Sequence, residues 1–291
     1  SGMLIKISKA LGVRNEYFFR PDHVTLTNVE YRKRSSTPAK VLKRIKADVL
    51  DQAERWQELA NIWPSFPLPK FDKGDLAAKV TTLDDVDTLS QSLRAEWGLG
   101  ENPIPDLIDT LESKGILVII TDVDESAKFD GLQATVSDQP VIVVSSNWPG
   151  DRQRFTIAHE LGHLYLHGQL PADLDEEKAC NRFAGSFLLP TRSIRSQMGE
   201  RRHNIEIQEL YMLKHEYGLS MSACLYRAKD VGIIEERTHT KIMIYFNKHH
   251  WRKKEPNDAY PKEQTYLFKQ LVYRALGEGI VSESKAAELL G

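Results

Sequence analysis

His159-Glu160-Leu161-Gly162-His163 sets two imidazoles four residues apart with a carboxylate beside the first. On a helix such positions share one face, with Cβ atoms about 5–6 Å apart, so both rings reach one metal ion while Glu160 faces a metal-bound water. The surroundings favour that helix. The run from Arg152 to Leu166 has no proline, follows Asp151 as a candidate N-cap, and is closed by Gly168 and Pro171. Phe155, Ile157, Ala158, Leu161, Leu164 and Leu166 make it largely apolar and therefore buried. Histidines and a glutamate in such a helix must be paired or metal-bound to offset their lost solvation. The competing reading is a pair of core histidines satisfied by backbone carbonyls; the metal reading is preferred.

A catalytic zinc takes three protein ligands and leaves its fourth position to water. His167 continues the series, but two helical turns from His159 is about 12 Å along the axis, and no glycine breaks the chain between His163 and His167. His167 is therefore read as a wall or substrate-contact residue, with an ordinary packed histidine as the competing and commoner case. Glu177 is the better third ligand. It opens a second amphipathic stretch, Glu176 to Pro190, in which Glu177, Asn181, Ala184 and Leu188 share a face. Asn181, one turn on, is placed to hydrogen-bond a ligand histidine from behind. Glu176 is the runner-up ligand and Cys180 the third choice, since a lone cysteine more often packs as a small hydrophobe.

The run Arg154-Phe155-Thr156-Ile157-Ala158-His159-Glu160-Leu161-Gly162-His163-Leu164-Tyr165-Leu166-His167, then Glu177, Asn181, Phe183-Ala184 and Leu188-Leu189-Pro190, closely resembles the ImmA/IrrE family of metallopeptidases. Leu93 to Gly100, Pro103-Ile104-Pro105 and Leu111 to Ile116 resemble the segment preceding the family's active-site helix, so the likeness spans roughly Leu83 to Ile234. Cys180 departs from it, at a position where the family commonly has alanine. The resemblance implies a zinc-dependent endopeptidase of bacterial or phage origin that cleaves a transcriptional repressor or antitoxin. His159, His163 and Glu177 would hold the ion, zinc or alternatively manganese, and Glu160 would be the general base. In such a site zinc brings the pKa of its water toward about 7, Glu160 takes the proton, and the hydroxide attacks a peptide carbonyl. Tyr165, His167, His203 and Tyr211 are candidate oxyanion donors. The alternative is a DNA-binding transcription regulator that uses the zincin fold as a ligand or partner sensor, with little proteolysis.

The 291 residues, 41% of them hydrophobic, can bury a sizeable core, and no apolar run approaches the roughly 18 residues of a membrane span. The two cysteines, Cys180 and Cys224, offer no disulfide framework, so a reducing cytoplasm is the expected setting. Ser1-Gly2-Met3 reads as a tag remnant. Leu4 to Val13 followed by Tyr17 to Pro21 resembles the last helix and exit of a phage-repressor-type helix-turn-helix domain, here truncated, through which the full-length protein would contact DNA. The basic cluster Tyr31 to Ser36 leads to a helix capped by Thr37 with Pro38 at its first position. Its Lys40, Lys43, Arg44 and Lys46 would meet phosphates or merely solvent, since the net charge is only −2.

Trp63 to Pro69 is a proline-rich connector. Beyond it, Ile116 to Ile120, Gly131 to Val136 and Val141 to Val144 read as strands, with Leu132 to Val136 as a candidate edge on which a substrate strand would lie, making Leu132 and Gln133 candidate contacts. Ile205 to Tyr217 and Met221 to Ala228 read as a packed helical pair, and Lys241 to Trp251 and Glu263 to Leu276 as further helices. The expected fold is α+β: a mostly helical zincin-like domain with a small sheet beside the histidine helix and helical extensions at both ends. The expected divisions are 1–3, a helical N-terminal region 4–69, the metallopeptidase domain 70–235 and a C-terminal helical extension 236–291.

Overall fold

The computed structural model describes residues 2–11, 26–33, 39–74, 80–123, 129–252 and 254–291. In chain order these form α1 (Gly2–Leu11), β1 (Leu26–Lys33), α2 (Ala39–Ile62), α3 (Leu83–Glu96), α4 (Leu107–Glu112), β2 (Leu117–Thr121), β3 (Phe129–Val136) and β4 (Gln139–Ser145). Then follow α5 (Gly150–Leu166), α6 (Glu176–Leu188), α7 (Thr191–Met198), α8 (Ile207–Tyr217), α9 (Met221–Asp230), α10 (Glu236–Lys248), α11 (Leu267–Gly277) and α12 (Glu283–Leu290). The result is a mostly helical α+β fold around one small mixed sheet. No described helix is long and apolar enough to cross a membrane.

The sheet order is β1-β3-β4-β2, with β2 parallel to β4 and the other two pairings antiparallel. β2 and β4 are apolar almost throughout because both their faces are covered. On one face Val118, Ile142 and Val144 join Ile157, Ala158 and Leu161 of α5. On the other, Leu117, Ile119, Leu132, Ala134, Val141 and Val143 pack with Ile45, Val49, Ala53 and Leu59 of α2, and with α11 and α12 through Leu271, Val272 and Leu289. Segments from near the two ends of the chain are therefore joined across the back of the sheet.

Several local expectations change. The N-terminal region is not purely helical, because β1 lies within it and pairs with β3. Of two register shifts, the one between Thr27 and Glu30 puts an extra residue in β1 and breaks the alternation by which such a strand is recognised, while the one between Arg32 and Lys33 puts its extra residue in β3. Gly12 to Pro21, Arg34 to Ser36, and Thr37 and Pro38 lie outside the described residues. Lys40, Lys43, Arg44 and Lys46 lie on α2, where Lys40, Lys43, Arg44 and Lys46 all keep some or most of their surface in solvent. The connector is anchored: Trp63 is buried, and the Phe66 ring meets Trp63 and Trp56 edge-on at 6.0 and 6.3 Å. Asp151 is not the N-cap of the histidine helix; Pro149 is, and Asp151 sits in the first turn. Its carboxylate is taken by the buried Lys214, 3.1 Å away, which also meets Glu255 at 2.8 Å.

The start of α5 is gripped by residues far along the chain. Arg154, fully buried, reaches Glu263 at 2.6 Å and donates to the Ile104 carbonyl at 2.7 Å. An added Cβ on Gly150 would stand 1.7 Å from the Pro261 oxygen, and one on Gly218 2.3 Å from Arg154 Nε. Gly218 also needs its positive φ of 70° to end α8.

Glu112, at the end of α4, is buried, and that burial pushes its carboxyl up from 4.5 to about 8, despite an opposing hydrogen bond from the Val118 amide. A carboxyl raised on folding binds its proton more tightly in the native state, so stability is full below about pH 4.5 and falls as pH climbs to about 8. Glu112→Gln should flatten that fall. A tenfold change in proton affinity corresponds to roughly 1.4 kcal/mol, so urea unfolding should show the variant more stable than the parent at pH 8, by up to about 4 kcal/mol, and nearly equal to it at pH 4.

Candidate metal centre

The two helices that carry the centre meet where neither has bulk. An added Cβ on Gly162 would lie 3.3 Å from the Cys180 Cα, so α6 can cross α5 directly beside the histidines. Asp175 caps α6 by accepting from the Lys178 amide at 2.8 Å, which places Glu176 and Glu177 in the first turn, where the helix dipole favours carboxylates. On its far side α6 is tied to α3 and α9. Asp87 of α3 accepts from Arg182 of α6 at 2.8 and 3.1 Å and from Arg227 of α9 at 2.9 and 3.0 Å.

His159, His163 and Glu177 converge. The two Nε2 atoms are 3.1 Å apart, and the Glu177 carboxylate oxygens lie 3.5 Å from His159 Nε2 and 3.4 Å from His163 Nε2. Each outer nitrogen is engaged: the Asn181 Oδ1 accepts from His159 Nδ1 at 3.0 Å and the Glu176 Oε1 from His163 Nδ1 at 2.9 Å. Amide and carboxylate oxygens can only accept, so each Nδ1 carries its hydrogen and each Nε2 directs its lone pair inward. A tetrahedral zinc with bonds of about 2.0–2.1 Å has ligand–ligand edges of about 3.3–3.4 Å. The donor set therefore fits such an ion in chemistry and spacing. His159 is fully buried and Glu177 is 62% exposed, so the cluster opens to solvent on the α6 side.

Glu160 is buried on the same helix, against β3. An added Cβ on Gly131 would lie 3.5 Å from its Oε1, 2.6 Å from Thr156 Cγ2 and 2.9 Å from the Val143 oxygen. Gly131 is thus what lets the strand lie close to the carboxylate, and a glycine inside a strand pattern is a legible sign of such an approach. Glu176 takes the outer side of His163 and, at 3.2 Å, of His167. Burial raises its carboxyl, but bonds and charge from the two histidines outweigh that and leave it below its ordinary value. A second group, His163 with Glu176 and Cys180, is also close, but it offers a single imidazole and a fully buried thiol.

The remaining candidates are not drawn into the cluster in the same way. His167 is exposed at the end of α5 and meets Glu176 at 3.2 Å. Tyr165 is not a site residue: it is buried, stacked on Phe183 and edge-on to Phe71, and the charges its hydroxyl feels are Glu96 and Asp72. Two positions from His163, about 200° around the helix, it faces away from that ligand's side. His203 is exposed before α8, its carbonyl accepting from Thr238 at the start of α10, and Tyr211 packs on His215. Leu132 and Gln133 are not on an edge. They lie in an inner strand, opposite Tyr31 and Glu30 of β1.

Residues 111–229, from α4 into α9, match the family model of the Peptidase M78, IrrE N-terminal-like domain. Among curated proteins none matches the chain. Among solved structures, a Mycobacterium tuberculosis transcriptional regulator is similar at 20% identity with a TM-score of 0.38, over 54% of this chain and 49% of that one, so the chain spans about half that protein's length.

Proposed function

We propose, from the match of residues 111–229 to the Peptidase M78, IrrE N-terminal-like domain, that the protein is a zinc-dependent endopeptidase in which His159, His163 and Glu177 hold the ion and Glu160 is the general base. The reading rests on three donors spaced 3.1 to 3.5 Å apart, both imidazoles turned inward by partners on their outer nitrogens. Zinc bound there would polarise a peptide carbonyl and acidify a water toward neutral pH. Glu160 takes the proton of the attacking water and hands it to the leaving amine. Asn181 and Glu176 fix the tautomer and tilt of the histidines, and the fold around α5 excludes bulk water from the buried side of Glu160. The family likeness supports a repressor or antitoxin as substrate and, in the full-length protein, DNA contact through an N-terminal helix-turn-helix; two cysteines that form no disulfide support a cytoplasmic setting.

Zinc-loaded protein incubated with small helix-turn-helix repressors and antitoxins, with fragments mapped by mass spectrometry, tests this. Zinc-dependent cuts at one site support it. Intact substrates throughout, with zinc bound, would leave the regulator without proteolysis as the better reading. Asn181→Ala should weaken zinc binding about 10–100-fold, in competition with a chelating indicator, with an unchanged circular dichroism spectrum.

A further inference from the structure

β3 passes beside the proposed base at Gly131, and both of its edges are in use. One edge pairs with β4, with Gly131 opposite Val144 and Gln133 opposite Ile142. The other pairs with β1, antiparallel, with Arg32 opposite Gly131, Tyr31 opposite Leu132 and Glu30 opposite Gln133. An extended peptide binds a sheet by adding a strand about 4.8 Å from the last one, using that strand's free amides and carbonyls. Along β3, beside Glu160, those groups are the ones β1 faces.

The pairing is also interrupted. Register shifts at Thr27/Glu30 and Arg32/Lys33 leave a short regular run, Glu30 to Arg32, directly across from Gly131 to Gln133. A short run between two bulges contributes less than a continuous ladder, and an edge strand is held from one side only. β1 is thus a self-supplied strand at the position where an extended substrate would add to the sheet.

We propose that β1 is a strap lying in the substrate-strand position of β3, and that an extended peptide reaches Glu160 only when residues 26–33 leave that edge. This rests on the peptidase reading for its consequence, but not for its test. Two variants of the whole chain suffice. Thr27→Cys with Thr135→Cys joins residues paired across the ladder; antiparallel partners have Cα atoms about 4.5–5.5 Å apart, within disulfide range, and the native cysteines are buried. Tyr31→Pro with Arg32→Pro removes whichever of the two successive amides faces β3.

The probe is a fluorescein-labelled synthetic peptide of residues 26–33, followed by anisotropy with and without zinc, alongside hydrolysis of an unstructured fluorogenic peptide mixture. The peptide should bind the proline variant at least tenfold more tightly than the parent. It should fail to bind the oxidised cysteine variant, and binding should return after reduction with a phosphine. Hydrogen exchange at 131–136 should quicken in the proline variant. Equal binding by parent and oxidised lock overturns the strap, even if the proline variant fails to fold. If binding follows the strap but no form hydrolyses peptide, the strap stands and the peptidase reading falls. If the oxidised lock hydrolyses as fast as the parent, the strap falls and the peptidase stands.

Discussion

Glu160→Gln should retain zinc and lose peptide hydrolysis by about 10²–10⁴-fold, the usual contribution of a positioned general base. Glutamine keeps the shape of the side chain but cannot accept and return a proton. Glu160 is 1% exposed, against β3 and Thr156, so an isosteric change is the one that leaves packing intact. The comparison requires zinc content by emission spectroscopy, a thermal melt and kcat/KM on one cleaved substrate. Full activity with zinc bound would assign the base to another residue.

Asp87→Ala should cost about 3–5 kcal/mol of stability in urea unfolding at pH 7, the cost of leaving a buried charge without its partner. Asp87 is shared by Arg182 and by Arg227, which is 1% exposed. Burial holds Arg227 below its ordinary pKa, and the nearby Asp87 is the strongest force opposing that. Removing the carboxylate leaves two guanidinium groups facing each other at the junction of α3, α6 and α9. Because α6 also carries Glu177 and Asn181, zinc affinity should fall with stability. A loss below about 1 kcal/mol would show that Ser186, Thr191 and the Leu189 carbonyl suffice for Arg227, and Asp84 and Asp230 for Arg182.

What the sequence discloses and what it conceals divide along physical lines. The histidine helix, the glutamate on α6 and Asn181 one turn later are legible because helical spacing is local: four residues always mean one turn. β2 and β4 are legible because burial on both faces leaves little room for polar residues, and β3 because its residues alternate. β1 is concealed because its bulge between Thr27 and Glu30 interrupts the period of two, and its partner lies about a hundred residues away. Leu132 and Gln133 look like an edge only while β1 is unseen. Tyr165 looks like a site residue from its closeness to His163 in sequence, whereas the helix turns it into the core. Glu176 reads as a rival ligand from spacing alone; its role behind His163 depends on which ring nitrogen it meets, which spacing does not specify. Asp151 fails as a cap because the backbone turns into the helix two residues earlier, at Pro149, freeing its carboxylate for Lys214.

The grip on the start of α5 bears on where this unit can be divided. The span matching the family ends at residue 229, yet two buried cations within it, Arg154 and Lys214, find carboxylates in Glu263 and Glu255. Glu255 also accepts the first amides of α9, and the Pro261 carbonyl fills the space over Gly150. A chain ended at 235 would keep all three proposed ligands and the proposed base, but would strand positive charge beneath the helix that carries two of the ligands. The part of this protein that can be transplanted whole into another therefore extends at least to Glu263.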